Sequence, residues 1–119
     1  MNINHIAIFT ENPLLLSEFY ETVIGLKKIQ VNLYADKTIR SVWLQLGESG
    51  ILMLEETKQK QASDSHLIAF ATTSKDMPVL KKRLATHNVP LVKESDYSIY
   101  FNDTDGNRLA FSHYPQMPK

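Results

Sequence analysis

The sequence predicts an α+β domain built from two copies of one strand–helix–strand–strand–strand unit, and two observations carry that prediction. Apolar periodicity changes from period two to about 3.6 and back in the same order in each half of the chain. In addition, Asn4-His5-Ile6-Ala7-Ile8-Phe9 superposes on Ser65-His66-Leu67-Ile68-Ala69-Phe70 with His5 on His66, an offset of 66 − 5 = 61 in a chain of 119 residues. Repeat one is expected over residues 1–57, an exposed connection over 58–64, and repeat two over 65–115, all within a single domain spanning 1–119.

Each element has its own local reason. Residues 3–9 are β-branched and apolar, a buried strand. Asn12 is a helix N-cap with Pro13 at the first helical position, and Leu15, Leu16, Phe19, Tyr20 and Val23 follow at helical spacing until Gly25 stops the pattern. Strands follow over 27–34 and 39–46, separated by Ala35-Asp36-Lys37, and a fourth over 51–55 after Gly47-Glu48-Ser49-Gly50. Residues 57–65 are polar throughout. The second half opens with a strand over 66–72, then a helix capped by Ser74 that carries Met77, Leu80 and Leu84, with Pro78 early and Asn88 as its stop. Strands over 90–93, 97–102 and 108–114 complete it, the last two joined by Asp103-Thr104-Asp105-Gly106-Asn107. One such unit is a curved sheet with a helix on one face, and two side by side enclose a concave cleft of the kind small ligands occupy.

Composition narrows the function classes. No cysteine is present, which removes disulfide scaffolds, cysteine–zinc sites, iron–sulfur clusters and thiol nucleophiles. Thirteen basic against thirteen acidic residues give no net charge, which argues against a nucleic-acid partner. Apolar runs such as Ile51-Leu52-Met53-Leu54 fall far short of the roughly 20 residues of a membrane helix. The first residues lack the basic and apolar regions of a secretory signal, so a cytoplasmic protein is expected. Walker, dinucleotide-glycine and Gly-x-Ser-x-Gly motifs are also missing.

Three segments carry a family resemblance: Asn4-His5-Ile6-Ala7-Ile8, Glu18-Phe19-Tyr20-Glu21-Thr22-Val23-Ile24-Gly25-Leu26, and Tyr100-Phe101-Asn102-Asp103-Thr104-Asp105-Gly106-Asn107-Arg108-Leu109. Together they resemble the vicinal oxygen chelate superfamily, which holds glyoxalase I, ring-cleaving dioxygenases, fosfomycin-resistance enzymes and bleomycin-resistance proteins. The resemblance covers essentially the whole chain, with Thr104 where a proline is common. It implies two βαβββ repeats forming an eight-stranded open cleft, the glyoxalase/bleomycin-resistance/dioxygenase fold, commonly assembled as a homodimer. It also implies metal ligands on the first and last strand of each repeat. Those places fall on His5, on His66, on or next to Met53, and on Ala110. Met53 and Ala110 offer no carboxylate, so a degenerate metal site is expected and no cofactor. A Zn, Fe, Mn or Ni ion held by His5 and His66 is the alternative.

Strand alternation supplies an independent reading of the cleft. Ile3, His5, Ala7 and Phe9 share one face, and His66, Ile68, Phe70 and Thr72 share another, so both histidines point into the cleft if the helices cover the intervening residues. Glu55, in phase with Met53, joins a metal only if a bulge moves it inward, and is otherwise the solvated end of a strand. Trp43 and Gln45, Tyr100 and Ser112 face the cavity if the aliphatic residues between them pack under the helices. His113 alternates away from Ala110 and Ser112, a surface or dimer position. Asp103 and Asp105 belong to a hairpin too short for a calcium loop. The expected function is binding of a small organic molecule, by sequestration or sensing. The alternative is a divalent-metal lyase or dioxygenase using His5 and His66.

Overall fold

A computed structural model describes residues 1–59 and 65–115. Strand β1 (His5–Thr10) leads to helix α1 (Pro13–Phe19), which continues as a π-helical turn (Tyr20–Ile24) before β2 (Lys28–Leu33), β3 (Ile39–Leu46) and β4 (Gly50–Glu56). The order then recurs as β5 (Leu67–Ala71), α2 (Met77–Thr86), β6 (Lys93–Glu94), β7 (Ser98–Asn102) and β8 (Arg108–Ser112). Each set makes its own four-stranded sheet, β1-β4-β3-β2 and β5-β8-β7-β6. In each, the first strand runs parallel to the last and the remaining pairs are antiparallel. The fold class is α+β, as expected, and the chain divides into two compact units, Met1–Gln61 and Ala62–Lys119. The connection expected over 58–64 lies outside the described residues from residue 60 onward.

In the first unit, the Asn12 side chain accepts a hydrogen bond from the Leu15 N–H at 3.1 Å, and Pro13 occupies the first turn. Gly25 takes a left-handed φ of 92°, and its N–H reaches back five residues to the Tyr20 carbonyl, closing the π turn. Leu16, Phe19, Tyr20 and Val23 are buried, as are Val42, Leu44, Leu52 and Leu54 on the sheet that α1 contacts. Leu15 departs from the expected stripe and is 57% exposed. The buried stripe is completed by Leu16, one residue on, with Phe19, Tyr20 and Val23 at spacings of three and four.

The second unit corrects two element boundaries. Helix α2 is not capped by Ser74; it begins at Met77, and Thr73 Oγ1 accepts the Asp76 N–H at 3.1 Å. Pro78 explains the shift: a start after Ser74 would place proline where the first intrahelical hydrogen bond needs an N–H, whereas a start at Met77 leaves it in the first turn. Asn88, with φ of 59°, ends the helix as expected. Strand β6 covers only Lys93–Glu94, not 90–93, because Pro90 has no N–H to give a ladder. The β7–β8 hairpin turns through Gly106 at φ 90°. Inside it the buried Asp103 carboxylate accepts the Asp105 and Asn107 N–H groups, each at 2.9 Å, and the Asn107 amide at 2.8 Å.

Candidate functional site

Because side chains alternate along a strand, ladder partners lie on one face of the sheet, and the registers define rows across each unit. In the first unit the rows are His5–Ile51–Gln45, Ala7–Met53–Trp43–Gln30 and Phe9–Glu55–Ser41–Asn32. Intervening positions Val42, Leu44, Leu52 and Leu54 form the buried face. Five residues singled out in the sequence, His5, Trp43, Gln45, Met53 and Glu55, therefore share the open face. No bulge interrupts β3–β4, so Glu55 keeps its place one pleat beyond Met53. Its Oε2 accepts a long hydrogen bond, 3.4 Å, from Trp43 Nε1. Beside it, Gln30 Nε2 donates to Asn32 Oδ1 at 2.7 Å and Asn32 Nδ2 donates to Ser41 Oγ at 2.8 Å. His5 is exposed, with Nδ1 2.8 Å from Asn4 Oδ1.

In the second unit the open-face rows are Leu67–Arg108–Asn102, Ala69–Ala110–Tyr100–Lys93 and Ala71–Ser112–Ser98. Most of these residues, though not Arg108, Asn102 or Lys93, line a cavity of about 570 Å³. Tyr100, Ala110 and Ser112, all singled out in the sequence, are part of its wall. Leu67, Ala69, Phe70 and Ala71 supply the β5 side, Ser98 lies beside Ser112, and Ser95, Tyr97 and Tyr114 complete the lining. Ser98 Oγ and Ser112 Oγ are 2.6 Å apart, and Ser112 Oγ also accepts the Tyr114 N–H at 3.1 Å. The Tyr97 ring meets Tyr114 edge-on at 5.5 Å and His113 at 5.4 Å. His113 itself does not line the cavity; it backs Tyr97.

His66 departs from expectation. It precedes β5, and its phase is that of Ile68 and Phe70, whose ladder partners Leu109 and Phe111 are buried. The opposite phase, in which Ile68 and Phe70 would open to the cleft, would offer the core only Ala69 and Ala71. At about 0.8 kcal/mol per buried methylene, the isoleucine and phenylalanine take the more buried face, where both are half-buried while Ala69 and Ala71 are exposed. The open-face place next to His66 is held by Leu67, so the first strands match with Ala7 on Ala69, an offset of 69 − 7 = 62. Leu67, Ala69, Ala71, Ser95 and Tyr97 were missed by the sequence reading. The contrast of large and small residues within Leu67-Ile68-Ala69-Phe70-Ala71 is the signal that finds the first three.

An engineered ligand pair tests this phase. Leu67 and Arg108 are ladder partners on the open face. Leu67→His with Arg108→His is expected to bind Ni²⁺ at least about tenfold more tightly than Arg108→His alone, which leaves the native His66 out of reach; outer-shell groups already change metal affinity by about 10–100-fold, and a lost ligand costs no less. Equal affinities in a calorimetric titration would restore His66 to the open face. Among the described residues, no three His, Cys, Asp or Glu side chains gather in one place.

The comparisons with known proteins agree with this architecture. A model of the Glyoxalase/Bleomycin resistance protein/Dioxygenase superfamily matches residues 2–111. Among solved structures, a mutant of the genomically encoded fosfomycin resistance protein FosX from Listeria monocytogenes, in complex with Mn(II) and 1S,2S-dihydroxypropylphosphonic acid, superposes with a TM-score of 0.81 at 16% identity, covering 94% of this chain and 91% of that one. An integron cassette protein from the mobile metagenome of a Halifax Harbour sewage outfall gives 0.76 at 22% identity, over 93% and 97%. A possible glyoxalase from Bacillus cereus gives 0.76 at 17%, over 94% and 98%.

Proposed function

Because the chain belongs to the glyoxalase/bleomycin resistance protein/dioxygenase superfamily, we propose that it is a small-molecule-binding member whose metal site is degenerate, serving sequestration or sensing of an organic ligand. The observation that carries this reading is the 570 Å³ cavity on the open face of the second unit, a volume suited to a small organic molecule and lined by uncharged residues. Tyr100, Ala110 and Ser112 are the proposed ligand contacts there; the other proposed cleft residues, His5, Trp43, Gln45 and Met53, lie on the open face of the first unit.

Superfamily members such as the manganese-bound FosX structure raise the question of a resident metal. The donor set here does not fit one. Three of the four places where the superfamily puts ligands hold Met53, Ala110 and, by phase, Leu67, none of which ligates a hard or borderline divalent ion. His5 remains as a single imidazole, where catalytic sites take three protein ligands or more. Glu55 is engaged by Trp43. The alternative, a divalent-metal lyase or dioxygenase using His5 and His66, would have to work without the carboxylates missing at Met53 and Ala110.

Metal analysis of tag-free protein tests the reading. Well under one equivalent of Zn, Fe, Mn or Ni is expected, and added Mn²⁺ is expected to leave the melting temperature unchanged. Near-stoichiometric metal that disappears in a His5→Ala, His66→Ala double variant would overturn it. The protein is proposed to work as a homodimer, so a light-scattering mass of 13.6 kDa, that of one chain, would contradict this part. Among the described residues no helix is long and apolar enough to cross a membrane.

A further inference from the structure

We propose that the second unit's cavity is built for an uncharged, planar aromatic molecule with an oxygen acceptor at one edge. This rests on the reading of the chain as a small-molecule binder and adds the ligand's chemical class. Shape is the first reason. Ala69 and Ala110 are ladder partners and Ala71 lies one pleat along the same face, so methyl groups make a shallow floor, with Leu67 at one end and Phe70 also part of the lining. Tyr100 continues the Ala69–Ala110 row, and Tyr97 is held upright by edge contacts to two rings. A flat floor between preset aromatic walls favours a ring over a puckered or branched skeleton.

Charge is the second reason. No carboxylate, ammonium, guanidinium or imidazole lines the cavity. Lys93 and Arg108, on the same rows, are not among the lining residues and have contacts of their own: Lys93 Nζ sits over the Tyr100 ring, 5.8 Å from its centre, and Arg108 Nε donates to Asn102 Oδ1 at 2.9 Å. An anionic ligand would lose water there without a counter-charge in return.

Hydrogen-bond counting supplies the acceptor. A hydroxyl has one proton to give and two lone pairs. If Ser98 donates to Ser112, then Ser112 already accepts from Ser98 and from the Tyr114 N–H, and its own proton points elsewhere. If Ser112 donates to Ser98, the Ser98 proton is the one left over. Either way the pair holds one hydroxyl proton for a ligand oxygen at the cavity wall.

Alanine-methyl NMR of the full chain tests this with coumarin, coumarin-3-carboxylate and octahydrocoumarin, which share a bicyclic lactone and differ in charge or planarity. Coumarin is expected to move the Ala69, Ala71 and Ala110 methyl signals upfield in a saturable manner. The anion and the saturated bicycle are expected to bind about tenfold more weakly, through missing counter-charge and missing ring contacts. Ser98→Ala with Ser112→Ala, which removes both hydroxyls, is expected to weaken coumarin about five- to tenfold, the share of one net hydrogen bond. Ala69→Leu, at an exposed strand position that leaves the fold intact, is expected to abolish the coumarin shift at Ala110. Equal or tighter binding of the carboxylate or of octahydrocoumarin overturns the ligand class while small-molecule binding stands. Coumarin shifts confined to alanines outside the cavity, or no binding by any of the three, overturn the proposal; the metal analysis above uses none of these probes and decides the broader reading separately.

Discussion

Phe101→Ala is expected to destabilise the protein by about 3–5 kcal/mol, the cost of removing a fully buried phenylalanine and leaving a cavity. Phe101 is wholly inaccessible, and its ring lies 5.1 Å from that of Phe111, which in turn meets Phe70 at 6.3 Å. These rings link β5, β8 and β7, with Phe101 and Phe111 buried in the core and Phe70 reaching the wall of the second unit's cavity. The neighbouring Tyr100→Ala is expected to cost only about 1 kcal/mol, since that side chain is half-buried on the open face and its main loss is the cation–π contact with Lys93. Urea unfolding of both variants checks the pair. Equal losses would mean that the second sheet has no distinct core and ligand faces, and the row assignment that defines the cavity would fall with it.

Asp103→Ala is expected to cost about 2–3 kcal/mol, because it strips the shared acceptor from two backbone N–H groups and a side-chain amide in a buried turn, and bonds to a charged group are the strong kind. Asp103→Asn keeps one carbonyl acceptor and is expected to lose less than half of that. The turn matters to the cavity because it sets the β7–β8 register, which places Tyr100 beside Ala110 and Ser98 beside Ser112. The alanine variant should therefore show a lower denaturation midpoint with an unchanged urea slope and shifted Ala110 and Ser112 amide signals. A loss below about 0.5 kcal/mol, the range of an ordinary surface substitution, would show that Gly106 and the strand ladders set the turn without the carboxylate.

Much of the architecture was legible because it depends on short-range chemistry. Asn12 with Pro13, Gly25 at positive φ, Asn88 as a stop and Asp-x-Asp-Gly-Asn as a tight hairpin are local preferences of particular residues, and the structure realises each one. Ser74 failed as a cap because a second local rule, the place proline can occupy, outranked it. The halves of Trp43/Gln45 against Val42/Leu44 were read correctly because the aliphatic set is plainly the larger apolar one.

The sequence by itself determined that the chain is two βαβββ units, which residues alternate together on each strand, and that carboxylates are missing at Met53 and Ala110. Only the tertiary structure decided which of the two alternating sets in β5 meets the core. In that strand both sets are apolar, so polarity is silent and a histidine at one end looks like a landmark. Packing weighs volume instead: Ile68 and Phe70 fill space beside Leu109 and Phe111 that Ala69 and Ala71 would leave empty. That preference puts Leu67 on the open face with Ala69 and Ala71, and all three line the second unit's cavity.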